Sequence, residues 1–341
     1  MIQKSYTIRL NLKFLIKFFM KTKKKKHKNK NITILNSNKI IKFTIIIFIS
    51  MFFFTYSFFM WSQKIIPYEQ VKAVYYFGIK QLMFFKPSSD QTKFDGFKVC
   101  DLPILRKVPN GSIAVIGHAY GSPSRNSNPN DYLAQNVEKF LMNNSNKINK
   151  VIFSGDIFAY PSISKWEKLD KSSKSKYEIY IAPGNHDILA HSAEYAFSQS
   201  KFGKINYPHL IEHSKSTIIL ENSVKTNWNV SAETIKKINN VKKNHPLLVV
   251  RHNIPIKELK SFANSDIGVS ENFLSYFDLE NKLNKKSNIT WIIGDSGGFS
   301  SLPRLKCFSR DNHRFILNGI GQVIGDRIIL ISDNKLFVYI L

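Results

Sequence analysis

Short apolar runs ended by turns fill the C-terminal two thirds of the chain. From Ser112 they are SIAVIG (112–117), VIFSG (151–155), IYIAPG (179–184), PLLVVRH (246–252) and ITWIIG (289–294). Runs of about four to six apolar residues between turn signals predict buried strands. Polar stretches of helical length separate several of them, at 131–143, 164–174, 191–202 and 231–244. Strand alternating with helix predicts a layered α/β domain over 111–341. The tail departs from this: CFSRDNHRFILNGIG from Cys307 and RIILISDNKLFVYIL from Arg327 predict consecutive hairpin strands.

The front of the chain has another pattern. Phe43 to Trp61 is an uncharged run of nineteen residues, eleven of them Ile or Phe. As a helix it would be roughly 28 Å long, close to the hydrocarbon thickness of a bilayer. Such a run predicts a transmembrane anchor at 43–61, preceded by an arm at 1–42 and followed by a juxtamembrane connector at 62–110. A cleaved leader is the competing reading, but its apolar stretch is normally about 7–15 residues and ends in small residues.

Charge sharpens that picture. Lys and Arg number 50 against 24 Asp and Glu, a net +26. Thirteen of the basic residues lie in 1–42, which holds no acid; the first acid is Glu69. Eight basic residues fall in 23–42 and three in 62–81, so the positive-inside rule predicts a cytoplasmic N-terminus and a domain in the periplasm or outside the cell. The run KTKKKKHKNKN (21–31) then reads as a topology signal with affinity for anionic lipid, and no nucleic-acid partner is expected. With only two cysteines, a disulfide scaffold or a Cys-rich zinc module is excluded. Cys100 and Cys307 are candidates to pair if the domain is extracytoplasmic.

Candidate chemistry lies just past the strands, where open α/β sheets bind their ligands. Those ends carry Gly117-His118-Ala119-Tyr120, Gly155-Asp156, Gly184-Asn185-His186-Asp187, Arg251-His252 and Gly294-Asp295-Ser296-Gly297-Gly298. Imidazole, carboxylate and amide oxygens suit Zn, Mn or Fe ions. A lone Gly-Asp is usually a plain turn, but five strand ends in succession point to one site.

This series resembles the calcineurin-like metallophosphoesterase superfamily, whose run is Asp-x-His, Gly-Asp, Gly-Asn-His-Asp/Glu, a lone His after an apolar strand, and Gly-His-x-His. The resemblance covers about 110–341. It implies an α/β/β/α sandwich, here preceded by the transmembrane helix. It also implies one or two metal ions (Mn, Fe or Zn) and hydrolysis of a phosphomonoester or phosphodiester by metal-hydroxide attack. Asp156 would bridge two metals, and Asn185 and His252 would bind the second. His186 would protonate the leaving group, with Asp187 orienting it. His118 would take the place of the family's first Asp, and Asp295 that of its first His in the last motif.

Two departures accompany the likeness. Tyr120 stands where the first motif has His; phenolate suits Fe³⁺, so Tyr120 is a further candidate donor. Gly297 stands where the last motif ends in His and offers no side-chain ligand. A second reading is therefore a catalytically inactive binding or assembly module in envelope or exopolysaccharide metabolism. Arg251 is a candidate contact to substrate phosphate, or else part of a salt bridge. His313, in the predicted hairpin, reads as structural. The GDSGG at 294–298 spells a serine-protease nucleophile motif, but the helices between the strands contradict that all-β fold.

Overall fold

The computed structural model describes residues 51, 55, 96–121, 132–213, 216–242, 245–262, 273–283, 288–295, 305–321 and 325–341. The basic arm, nearly all of the expected anchor, and the connector as far as residue 95 lie outside the described residues. Among those described, no helix is long and apolar enough to cross a membrane. The chain divides into two compact units, Met1–Phe84 and Phe85–Leu341. The strands and helices from Lys98 onward belong to the second.

Thirteen strands are described: β1 Lys98–Val99, β2 Ile104–Leu105, β3 Ser112–Ile116, β4 Ile148–Phe153, β5 Glu178–Ile181, β6 His209–His213, β7 Ser216–Leu220, β8 Leu247–Arg251, β9 Ile289–Ile293, β10 Leu305–Arg310, β11 His313–Asn318, β12 Arg327–Ser332 and β13 Lys335–Ile340. They form two sheets, ordered β1-β10-β11-β9-β8-β7-β6 and β2-β13-β12-β3-β4-β5. The central strands β7, β8, β9 and β11 run parallel in one sheet, as do β3, β4 and β5 in the other. Their carboxyl ends are thus gathered on one rim of each sheet.

Among the described residues, six α-helices flank the sheets: α1 Gln135–Asn143, α2 Ile163–Ser173, α3 Asn185–Ile188, α4 His191–Gln199, α5 Ala232–Asn240 and α6 Tyr276–Lys282. Serine side chains start three of them: Ser162, Ser231 and Ser275 accept from the backbone N–H three residues on. Each cap satisfies one of the orphan donors of a first helical turn.

Side-chain alternation along the strands sets the layers. Ile113, Val115, Ile152, Ile218, Val250, Ile292, Ile316 and Ile329 form the core between the two sheets. The alternate residues Ala114, Ile116, Val151 and Phe153 pack with Trp166, Leu169 and Phe197 of α2 and α4. On the far side, Val249, Trp291 and Phe315 pack with Ile238, Tyr276 and Leu279 of α5 and α6. The expected α/β/β/α sandwich is the result.

Several details differ from expectation. The tail does form hairpins β10–β11 and β12–β13. They lie in different sheets, however, because β11 also runs parallel to β9 and β12 antiparallel to β3. The polar stretch 231–244 is helical only to Asn240. Two short strands from the expected connector, β1 and β2, join the sheets beside β10 and β13. A disulfide between Cys100 and Cys307, 207 residues apart in sequence, fastens that segment to β10.

Candidate metal centre

Following each strand's inter-sheet face to its end gives the floor of the site. Two residues beyond Val115, Ile152, Val250 and Ile292 come Gly117, Ser154, His252 and Gly294. The chain then turns sharply, with His118 and Asp156 both at φ 55°, a region bulky residues seldom adopt. Strain of this kind persists only where the surroundings enforce it, and it clusters at functional sites. A Cβ on Gly155 would run into the His252 ring, and one on Gly184 into the Asp156 carboxylate. Those glycines let three loops close on one carboxylate.

Asp156 is the hub. Its Oδ2 lies 3.4 Å from His118 Nε2 and 4.0 Å from His186 Nε2, and its Oδ1 lies 3.4 Å from His252 Nε2. Each imidazole is anchored at its other nitrogen: His118 Nδ1 to the Gly121 carbonyl at 3.0 Å, His186 Nδ1 to Ala159 at 3.1 Å and His252 Nδ1 to Ser154 at 3.1 Å. A carbonyl only accepts, so each Nδ1 carries a proton, and each ring turns its Nε2 toward Asp156. Asn185 Oδ1 lies 3.1 Å from His252 Nε2. The Tyr120 hydroxyl lies 3.3 Å from His118 Nε2 and 3.5 Å from His186 Nε2.

Six of the nine residues named from the sequence meet here as expected of neighbours: His118, Tyr120, Asp156, Asn185, His186 and His252. Asp295 is buried, and its backbone N–H donates to the His252 carbonyl at 2.7 Å. Two expectations need correction. Asp187 does not orient His186; its carboxylate accepts from the N–H groups of Asp156, Ile157 and Gly184 at 2.8, 3.0 and 2.9 Å. It ties the Gly155-Asp156 turn to the Gly184-Asn185 turn, and the Ala159 carbonyl orients His186 instead. Arg251 is fully buried, with Nη1 donating to Glu221 at 2.7 Å and Nη2 to the Trp228 carbonyl at 2.5 Å. Strand alternation turns it away from His252, so it has no path to a substrate phosphate. The orienting carbonyls of Gly121, Ser154 and Ala159 were missed, because a backbone acceptor leaves no mark on sequence.

Electrostatics favour an ionised Asp156 carboxylate. Burial works against the Asp156 charge, but the attraction of His252, His186 and His118 outweighs it and holds its pKa at about 2. Burial pushes His118 down to about 4, with Asp156 pulling the other way, so its Nε2 lone pair is available at neutral pH. His252 is also penalised by burial, yet Asp156 and Asp295 raise its pKa overall. Asp187 is pushed up to about 6, first by burial and then by the Asp156 charge.

Among the described residues, no three His, Cys, Asp or Glu side chains form a ready-made cation site. Asp156 instead presents one oxygen to each of two histidines, and Tyr120 and Asn185 oxygens add the third donor on either side. Two donors about 2.1 Å from a tetrahedral cation lie about 3.4 Å apart, the spacing of both His–Asp156 pairs. Beside His252 the lone pairs of Nε2, Asn185 Oδ1 and Asp156 Oδ1 face one another, and a proton or a cation between them relieves that repulsion. This donor set fits a borderline metal ion on each side of Asp156.

A family model described as calcineurin-like phosphoesterase matches residues 118–294, more than half of the chain. No curated protein is similar enough to count as a match. Among solved structures the chain is similar to Vps29 from Chaetomium thermophilum, at 16% identity over 68% of this chain and 87% of that one, TM-score 0.33. It is also similar to a phosphopantetheinyl hydrolase from Mycobacterium tuberculosis, at 11% identity over 63% and 92%, TM-score 0.39.

Proposed function

The chain belongs to the calcineurin-like phosphoesterase family, and from that premise we propose that it is a membrane-anchored, metal-dependent hydrolase of phosphomonoesters or phosphodiesters. The observation that carries this reading is the set of imidazole Nε2 atoms converging on the Asp156 carboxylate, each ring fixed from behind by a carbonyl. Asp156 with His118 and Tyr120 would hold one cation, and Asp156 with His252, Asn185 and Asp295 a second. When bound, such ions supply Lewis acidity and lower the pKa of coordinated water. His186, oriented at Nδ1 by the Ala159 carbonyl, would deliver a proton from Nε2 to the leaving-group oxygen. Asp187 fixes the distance between the two turns that carry Asp156 and Asn185.

The run at 43–61 anchors the chain, the basic arm binds anionic lipid on the cytoplasmic side, and the catalytic domain faces the periplasm or the exterior. The Cys100–Cys307 bridge supports that placement, because disulfides persist in oxidising compartments. A phosphate ester of the cell envelope is then the accessible substrate. Tyr120 and Gly297, which depart from the family's motifs, favour the second reading of a non-catalytic binding or assembly module.

Nitrophenol release from nitrophenyl phosphate esters separates the two. Catalysis predicts metal-dependent turnover that Asp156→Asn or His186→Ala lowers by at least about a hundredfold. Turnover unaffected by either substitution would sink the mechanism, and none in the parent chain would leave the binding module.

A further inference from the structure

Asn318 ends β11 beside the site and has no part in the chemistry assigned to Asp156 and its histidines. Its side chain is 1% exposed, and among the described residues neither its Oδ1 nor its Nδ2 has a hydrogen-bond partner. A buried amide left this way destabilises a fold, because it has given up water for nothing. A native protein retains such a group for a reason.

Position supplies the reason. Asn318 lies two residues beyond Ile316, on the strand face that lines the core between the sheets. It therefore occupies the same floor as Gly117, Ser154, His252 and Gly294. The β11–β9 register, Leu317 beside Ile293, puts Asn318 next to Gly294, the glycine that precedes Asp295. Across the sandwich, a Cβ on Gly117 would meet the Asn318 carbonyl at 2.7 Å, and Gly117 leads directly into His118. The Ile320 N–H also donates to the Gly117 carbonyl at 2.9 Å. On the other flank of Gly294, the Ser154 hydroxyl is buried and likewise without a partner among the described residues. Two unsatisfied polar side chains thus border one glycine at the base of the His118 and Asp295 turns.

We propose that Asn318 is a further cation ligand of this centre, its amide oxygen replacing the donor that Gly297 does not provide. Asn oxygen is a hard ligand matched to the carboxylate and imidazole already present, as Asn185 is on the other side of Asp156. The chain thereby moves a lost ligand from the sequence after β9 to the end of the neighbouring strand. This inference rests on the metal-dependent reading of the site.

The test is Mn²⁺ titration of the full chain, stripped of metal with a chelator, alongside the melting temperature of the stripped protein. Asn318→Leu, similar in size and without polar atoms, is expected to weaken Mn²⁺ binding about tenfold to a hundredfold. It should leave the stripped protein's melting temperature unchanged or raise it, because a costly buried amide is gone. Asn318→Asp is expected to tighten binding, and it alone decides the matter if the Leu variant does not fold. Affinities within about twofold of the parent in these variants overturn the proposal. A lower melting temperature with unchanged affinity does so too, since the amide then holds only a buried water. A parent chain that takes up no Mn²⁺ removes the metal-dependent reading itself, and this inference with it.

Discussion

A histidine far from the centre shows how local environment sets a residue's role. His313, at the start of β11, is 5% exposed, and its Nδ1 accepts a hydrogen bond from Trp291 Nε1 at 3.1 Å. Burial pushes its pKa down to about 4, although Asp311 pulls upward. In the unfolded chain the ring takes its proton near the usual value of about 6.5, so between those values the unfolded state binds the extra proton. Its contribution is full above about pH 6.5 and falls as pH drops toward 4, by on the order of 3 kcal/mol. Urea unfolding should therefore show a smaller stability loss between pH 7 and 4.5 in His313→Gln than in the parent. An identical loss in both would mean that His313 is not the group responsible.

Local environment also decides which site residues could be read in advance. His118, Asp156, Asn185, His186 and His252 were legible because each follows an apolar strand and sits beside a glycine or a turn, so residue type and place agree. Asp187 was legible as a neighbour but not as a staple, since which carboxylate serves a ring and which serves three backbone N–H groups depends on side-chain direction. Arg251 looked available because it touches His252 in sequence. Strand alternation sends the two to opposite faces, and Glu221 claims the arginine. Asn318 carried no signal at all: it is an ordinary strand end until the register places it beside Gly294.

At the scale of elements, the strand-and-helix alternation was plain, because buried parallel strands read as continuous apolar runs. Pairing across the chain was less plain. The hairpin β6–β7 and helix α6 lacked strong periodicity, and the splitting of the two tail hairpins between sheets comes from long-range pairing that local pattern does not encode. The segment 96–105 shows this most clearly. Its strands are only two residues each, yet three kinds of contact hold it. β1 pairs with β10, Cys100 is bonded to Cys307, and the Arg310 guanidinium lies 5.2 Å from the Phe97 ring. A bridge spanning so long a stretch of chain restricts the unfolded state strongly, and such bridges typically contribute about 2–4 kcal/mol. Cys100→Ser should lower unfolding stability by about that amount under oxidising conditions. The loss should vanish when parent and variant are compared in reductant. Equal stability under oxidising conditions would show that the bridge adds nothing.

For the whole molecule, the net +26 divides into an arm of thirteen basic residues and a remainder spread over the rest of the chain. On the proposed topology the arm acts on lipid and the catalytic rim faces the opposite compartment. A phosphatase reporter that is active only outside the cytoplasm, fused after Leu341, should be active. An inactive reporter on a stably produced fusion would reverse the orientation and remove the case for an envelope substrate.

The proposed chemistry depends on whether the imidazoles gathered around Asp156 hold metal. The direct measurement is the metal content of the full chain after loading with Mn²⁺ and desalting, beside an Asp156→Asn variant of matched folding. About one to two equivalents are expected in the parent and near none in the variant. Metal-free parent protein, or equal retention by the two, would contradict a metal-dependent centre.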